Sequence, residues 1–141
     1  MPSIVPSPET RNGSHTLMSL TPADDGFTLE RRGDVLIFVP SAHLEEFDLS
    51  TAEELSSVLL GPIQELPMPL LIVDLEGVDF FGSSFLSLLL RCWKAVLVKG
   101  GQMVLAGVSP RARELLRITS LDIVWPLYAN RSEALAALQS D

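Results

Sequence analysis

Two adjacent serines, Ser83 and Ser84, have the type and position most suited to chemistry in this sequence. The segment 77–86 that contains them follows a strand of buried character and leads into a long apolar helix. The first backbone N–H groups of a helix have no partner within it, and with the helix dipole they favour an anion. A phosphate on one serine would be stabilised there. Alternatively, one serine only caps the helix, which leaves the second hydroxyl spare.

Signatures of catalysis are otherwise scarce. Neither of the common glycine-rich phosphate loops is present in the sequence. Gly82 is followed by two serines and a phenylalanine, without the second glycine of a nucleophile elbow. A hydrolase that used Ser83 or Ser84 would therefore have to take His43 as its base, which makes an enzyme the less favoured interpretation.

Composition excludes several classes of partner. The 141 residues include 18 acidic and 10 basic side chains, for a net charge of −8. Nucleic acids and anionic lipids bind mainly through Lys and Arg, so neither a nucleic acid nor a membrane surface is an expected partner. The single cysteine, Cys92, excludes an intramolecular disulfide and a Cys-rich zinc site. No acidic cluster is typical of a metal site. With no apolar run of membrane length and no signal peptide, the sequence predicts a cytoplasmic protein.

Strand and helix patterns alternate along the chain and predict an α/β fold. The two opening strands are separated only by the turn at 32–34, so we expect an antiparallel hairpin. The later strands alternate with about four helices, which requires a mostly parallel sheet of five strands. Residues 1–26 are rich in proline and predict a flexible leader before a domain at 27–139. The predicted strands are 27–31, 35–39, 70–73, 103–106 and 123–125.

Capping residues set the expected helix starts. Ser50 with Glu53, and Asn130 with Glu133, have the spacing of capping boxes. Ser84 is expected to cap the long helix over 84–99, while Ser109 precedes a proline at the first helical position. The pair at 61–62, Gly then Pro, is expected to end or kink the first helix.

The long helix is apolar around more than half of its circumference. Such a helix is either covered on two sides by its own domain or meets a partner on one of them. Phe81 and Phe85 flank the serines, and we expect both to be partly exposed, together with one of Leu86, Leu90 or Trp93. An exposed aromatic pair at this position would form a binding hot spot.

Together these features resemble the STAS family, which includes bacterial anti-sigma factor antagonists and the cytoplasmic domains of sulfate transporters. The resemblance covers residues 27–139. It depends on the order of a buried strand at 70–75, the Gly77-Val78-Asp79-Phe80-Phe81 segment, the serine pair and Gly100-Gly101. Ser109-Pro110 with Leu115-Leu116 and Ile118-Thr119 also fits, as does Asp48 three residues before Thr51.

The resemblance implies a STAS-type fold and particular site residues. In the antagonists the serine loop usually reads Asp-Ser-Ser-Gly or Asp-Ser-Thr-Gly, and the first hydroxyl accepts a phosphate. The corresponding residue here is Ser83, with Ser84 beside it. Gly82 stands at the Asp position and Phe85 at the Gly position. The predicted partner-binding residues are Asp48, from the resemblance, and Phe81, Gly82, Phe85 and Leu86, from their places beside the serines.

Family members act by partner switching and have no catalytic activity of their own. The implied partner is an anti-sigma factor that is also a serine kinase, and phosphorylation of the antagonist disfavours their rebinding. ATP would belong to the kinase, so no cofactor is expected in this chain. The alternatives are a STAS adaptor or scaffold that has lost the switch and, more distantly, the small serine hydrolase. A homodimer remains open.

Overall fold

The computed structural model describes residues 27–41, 44 and 47–139, which contain a five-stranded sheet and five helices. The predicted leader at 1–26 and His43 lie outside the described residues. The strands are β1 (Thr28–Arg32), β2 (Val35–Val39), β3 (Leu70–Asp74), β4 (Gln102–Ala106) and β5 (Leu127–Tyr128). The helices are α1 (Leu49–Glu65), α2 (Ser83–Val98), α3 (Pro110–Ile118), α4 (Leu121–Val124) and α5 (Arg131–Gln139).

The strands lie in the sheet in their order along the chain. β1 pairs antiparallel with β2, and every later pair is parallel, so the predicted mixed and mostly parallel sheet is confirmed. β3 is the central strand, where Ile72 pairs with Ile37 on one side and Val104 on the other. All three side chains are fully buried, which explains why these strands read as continuous apolar runs.

The sheet is covered on both faces. On one face, the main core joins side chains of α1, α2 and α3 to the sheet. A smaller cluster on other positions of β2, β3 and β4 packs against α5 through Ala134. Because β2, β3 and β4 are parallel, the loops that follow them emerge at one edge of the sheet. The loop between β3 and α2 therefore lies at the centre of that edge, where ligands and partners of such sheets commonly bind.

The predicted N-cap of α1 is wrong, and the helix does not end at Pro62. The N-cap is Asp48 rather than Ser50, because the Asp48 carboxylate accepts the Thr51 backbone N–H at 2.9 Å. The helix also continues through Pro62 to Glu65. Pro62 removes one hydrogen bond, but Leu59 and Ile63 on either side of it are buried in the core. We attribute the continuation of the helix to this packing, which compensates for the missing bond.

The fifth strand lies later than predicted. Residues 123–125 were expected to form it, but 121–124 form the short helix α4, and the strand is Leu127–Tyr128. Ser120 adopts a left-handed conformation with φ 63°, which starts this extra turn. Ile123 is 82% exposed, whereas Trp125 is fully buried beneath the turn. The apolar residues that favoured a strand thus have different places: Ile123 lies on an exposed turn, and Trp125 lies in the core.

Gly101 provides a test of the packing at the opposite edge of the sheet. A Cβ at this position would lie 1.8 Å from the Pro69 carbonyl oxygen, whereas a Cβ on Gly61 in α1 would meet nothing within 4 Å. We expect Gly101→Ala to lower the free energy of unfolding by about 1–3 kcal/mol. Gly61→Ala should raise it by about 0.5–1 kcal/mol through helix propensity. Urea denaturation of both variants measures the difference; equal stabilities would contradict the close approach.

Candidate functional site

The serine pair begins α2 at the carboxyl end of the central strand. Ser83 is the first residue of the helix and is exposed, while Ser84 is half-buried. The N-cap is Gly82, with φ −105° and no side-chain cap, so the expectation that Ser84 caps the helix is wrong. The first bond of the helix is the Leu86 N–H donating to the Gly82 carbonyl at 3.1 Å. The helix therefore starts one residue earlier than predicted, and both serines lie inside its first turn.

This start distinguishes α2 from the other long helices of the described chain. Asp48 caps α1, Ser109 caps α3 and Asn130 accepts the Glu133 N–H at the start of α5. Within the same described residues, no side chain caps α2. The anion-favouring end of α2 is thus not neutralised by a capping oxygen, and Ser83 presents its hydroxyl there.

The prediction that Phe81 and Phe85 are partly exposed is wrong. Both rings are fully buried. Phe85 lies between Phe47 and Phe81, with centroid separations of 5.3 and 5.1 Å. Its side chain projects from the first turn of α2 onto the inward face that also carries Leu88. Phe85 therefore fills the core beneath the start of α2.

A half-exposed residue, Phe80, continues the aromatic contacts toward the surface. Its ring is nearly parallel to that of Phe81, with centroids 6.5 Å apart and an interplanar angle of 20°. The guanidinium of Arg111 in α3 lies over the Phe80 ring, 4.7 Å from its centroid. Arg111 also pairs with the exposed carboxylate of Asp79 at 3.0 Å. The Ser109 hydroxyl donates to the Asp79 carbonyl. The start of α3 therefore holds the loop at 75–82 between β3 and α2, called the serine loop below, in place.

The beginning of the same loop is held by a buried carboxylate. Asp74 ends β3 and is 4% exposed. One of its oxygens accepts the Glu76 N–H at 3.1 Å, and the other accepts Arg131 Nε from α5 at 2.9 Å. Arg131 lies near Glu30 of β1 as well, at 3.7 Å. These ion pairs connect the site loop to the far face of the sheet and have a positioning role.

A cavity of about 400 Å³ opens beside Ser83. Its apolar side consists of aromatic and aliphatic side chains from the loop before α1 and from the serine loop. Its polar side is the start of α2, so an apolar side chain of a partner could enter it next to the serine hydroxyls. The residues that line it are Leu44, Phe47, Phe80, Phe81, Gly82, Ser83 and Ser84.

Neither Asp48 nor Leu86 lines the cavity. The neighbour of Asp48 in sequence, Phe47, does. The Thr51 backbone N–H donates to the Asp48 carboxylate and lowers the pKa of that exposed group. Leu86 is half-buried against the main core. The structure thus brings Gly82, Ser83 and Ser84 into one surface and leaves Asp48 on its margin.

Four residues of this surface were missed in the sequence, namely Leu44, Phe47, Phe80 and Arg111. Phe80 carried a signal, because it precedes the serines within the same loop. Arg111 also carried a signal, because it directly follows Ser109-Pro110, the predicted start of a helix. Phe47 carried none, since it lies in an irregular segment with no periodicity. Among the residues that the structure describes, no group of His, Cys, Asp and Glu could hold a metal ion.

Comparison with known proteins identifies the family. The STAS domain model matches residues 27–134, and the chain belongs to this family. A solved STAS domain protein of Planctomyces limnophilus, described as an anti-sigma-factor antagonist, is 35% identical with a TM-score of 0.72, over 81% of this chain and 98% of that one. A solved anti-sigma factor antagonist of Mycobacterium paratuberculosis is 28% identical with a TM-score of 0.63, over 87% and 100%. The anti-sigma F factor antagonist of Paenibacillus polymyxa is 29% identical over 94 residues, which are 67% of this chain and 80% of that protein.

The partner named for these relatives is a protein, the anti-sigma factor. Across the part of the chain that the structure describes, no helix has the length and apolar character needed to cross a membrane.

The two neighbouring rings, Phe85 and Phe80, allow a test of the site's architecture. Phe85→Ala removes a fully buried ring, so we expect the free energy of unfolding to fall by about 3–5 kcal/mol. Phe80→Ala removes a half-exposed ring and should cost clearly less. Chemical denaturation gives both values. A Phe85→Ala variant as stable as wild type would show that the ring is not part of the core.

Proposed function

We propose that this chain is an anti-sigma factor antagonist controlled by partner switching. It binds the anti-sigma factor through the surface formed by Gly82, Ser83, Ser84, Phe80 and the cavity beside them, and so releases the sigma factor. The observation that carries the proposal is the exposed hydroxyl of Ser83 at a helix start without a side-chain cap, beside a cavity with one apolar and one polar side. Membership of the STAS family and the names of its relatives support the same role.

Ser83 is the proposed phosphoacceptor, and the anti-sigma factor is the proposed kinase. In the transfer, the Ser83 Oγ–phosphorus bond forms while the bond between the γ-phosphorus of ATP and its bridging oxygen breaks. ADP leaves with that electron pair, and the hydroxyl proton passes to a base of the kinase. Ser83 is favoured over Ser84 because Ser83 is exposed and Ser84 is half-buried.

Phosphorylation changes the binding surface more than the fold. It adds about −1.5 to −2 charges where the partner would meet a neutral hydroxyl. The start of α2 stabilises this charge within the chain, by about 0.3–1 kcal/mol for an exposed group. The partner, in contrast, would have to desolvate a dianion to reach the apolar cavity. The modified protein should therefore stay folded and bind weakly.

We also propose that the chain acts in the cytoplasm and has no catalysis of its own. Among the described residues that line the cavity there is no histidine or carboxylate to serve as a base for Ser83.

A phosphate-independent adaptor is the second candidate function. Gly82 favours it, since this position in the antagonists usually has an aspartate beside the acceptor. A Cβ at Gly82 would meet nothing within 4 Å, so the backbone there leaves space for a side chain to begin.

Incubation with ATP and the cognate kinase tests the switch. Intact-mass analysis of wild type should show one added phosphate, which Ser83→Ala abolishes and Ser84→Ala retains. Ser83→Ala should bind the anti-sigma factor whether or not ATP is present. Ser83→Asp should bind more weakly than wild type, although one charge imitates two incompletely. Binding without any phosphate on wild type would support the adaptor instead, and phosphate on Ser84 would move the acceptor by one residue.

Asp48 offers a way to separate capping from binding. Asparagine caps helices about as well as aspartate, so Asp48→Asn should keep most of the stability of α1, losing only the small contribution of the charge, while it removes a charge at the margin of the site. Asp48→Ala should lower stability as well. The pKa of Asp48 is lowered in the folded chain, so its stabilisation is complete above the unfolded pKa and is lost as the pH falls through the folded one.

Both Asp48 variants are measured by denaturation at neutral pH and by titration with the anti-sigma factor. Reduced affinity of Asp48→Asn with unchanged stability would assign the carboxylate to the interface. Unchanged affinity would restrict Asp48 to its role as a cap.

A further inference from the structure

Arg111 is a cation next to the serine site that the proposed unphosphorylated complex does not use. It projects from the start of α3 and lies over the ring of Phe80, which lines the same cavity as Ser83. Arg111 and Ser83 are thus linked through Phe80, whose ring contacts the guanidinium and also lines the cavity. Its only ion-pair partner within the described part of the chain is Asp79 in the same loop.

The present pair of Arg111 and Asp79 is a weak one. Both side chains are largely solvated, at 67% and 72% exposure, and exposed pairs of this kind contribute little because water screens them. A phosphate dianion carries more charge than a carboxylate and accepts two parallel hydrogen bonds from a guanidinium. Arg111 can therefore exchange Asp79 for a stronger partner at small cost.

We propose that Arg111 binds the phosphate on Ser83 and so forms part of the switch. This inference rests on the proposed function, since it requires phosphorylated Ser83. On phosphorylation the guanidinium leaves Asp79 and the face of Phe80 and moves to the phosphate. The switch then changes three features of the surface at once: the charge at Ser83, the covering of Phe80 and the pairing of Asp79.

The test uses full-length protein with phosphoserine placed at position 83 by genetic-code expansion, so that no kinase is needed. A ³¹P NMR titration gives the second pKa of the phosphate, which is about 6 in an unperturbed phosphoserine. A bound guanidinium stabilises the dianion and lowers this pKa. We expect Arg111→Gln to raise it by roughly half a unit relative to phosphorylated wild type.

Arg113→Gln is the matched control, because Arg113 is an exposed arginine on the same helix and the variant makes the same change in net charge. The α2 terminus and the nearby carboxylates of Asp48 and Asp79 act on the phosphate in every variant, so only the difference between the two substitutions reports on Arg111. Arg111→Lys should give an intermediate pKa, since lysine keeps the charge but lacks the two parallel N–H donors of a guanidinium.

A higher pKa in Arg111→Gln with Arg113→Gln unchanged supports the proposal. Equal values in the two variants would overturn it, even if the kinase modifies Ser83. If the pKa responds to Arg111 and the cognate kinase adds no phosphate, the phosphate site stands and the proposed function fails.

Discussion

The contacts among Phe47, Phe85, Phe81 and Phe80 are the interaction on which the site depends. Successive centroids lie 5.3, 5.1 and 6.5 Å apart, so the rings connect the loop before α1, the first turn of α2 and the serine loop. Arg111 of α3 extends the series at its outer end. Buried aromatic pairs contribute both apolar area and a preferred geometry, so they fix the direction in which α2 leaves the sheet. Ser83 is exposed at the surface, whereas Phe81 and Phe85 are fully buried beneath the start of the helix.

Much of the fold could be predicted because its signals are local. β2, β3 and β4 are apolar on both faces and could be read directly, and Ser109-Pro110 marked the start of α3 correctly. The errors occurred where tertiary packing outweighed a local signal. Pro62 did not end α1, because the residues around it are buried. Ile123 and Trp125 appeared to share a strand, yet Ile123 is exposed in α4 and Trp125, at the end of that helix, is fully buried in the core.

The position of the serine loop in the fold was predicted, but the arrangement of its side chains only in part. The serine pair, its helix and its place after the central strand followed from the sequence. The burial of Phe81 and Phe85 could not be predicted from the sequence, because apolar residues next to a functional loop are equally suited to core and to interface. Only the direction of each side chain distinguishes the two. Likewise, Gly82 carried no capping signal, and the residue that begins α2 was therefore placed one position late. The partner of Asp79 could not be anticipated, since α3 meets the loop across more than 30 residues of sequence.

The central claim is that the start of α2 and the cavity beside it are where the anti-sigma factor binds. It is tested most directly by NMR cross-saturation of deuterated, ¹⁵N-labelled protein in complex with that factor. The account predicts the strongest effects at the amides of Phe80, Gly82, Ser83, Ser84 and Leu86, with little change on α5. Strong effects confined to α5 or to the exposed end of α2 at Leu97 and Val98, with no change at residues 80–86, would contradict it.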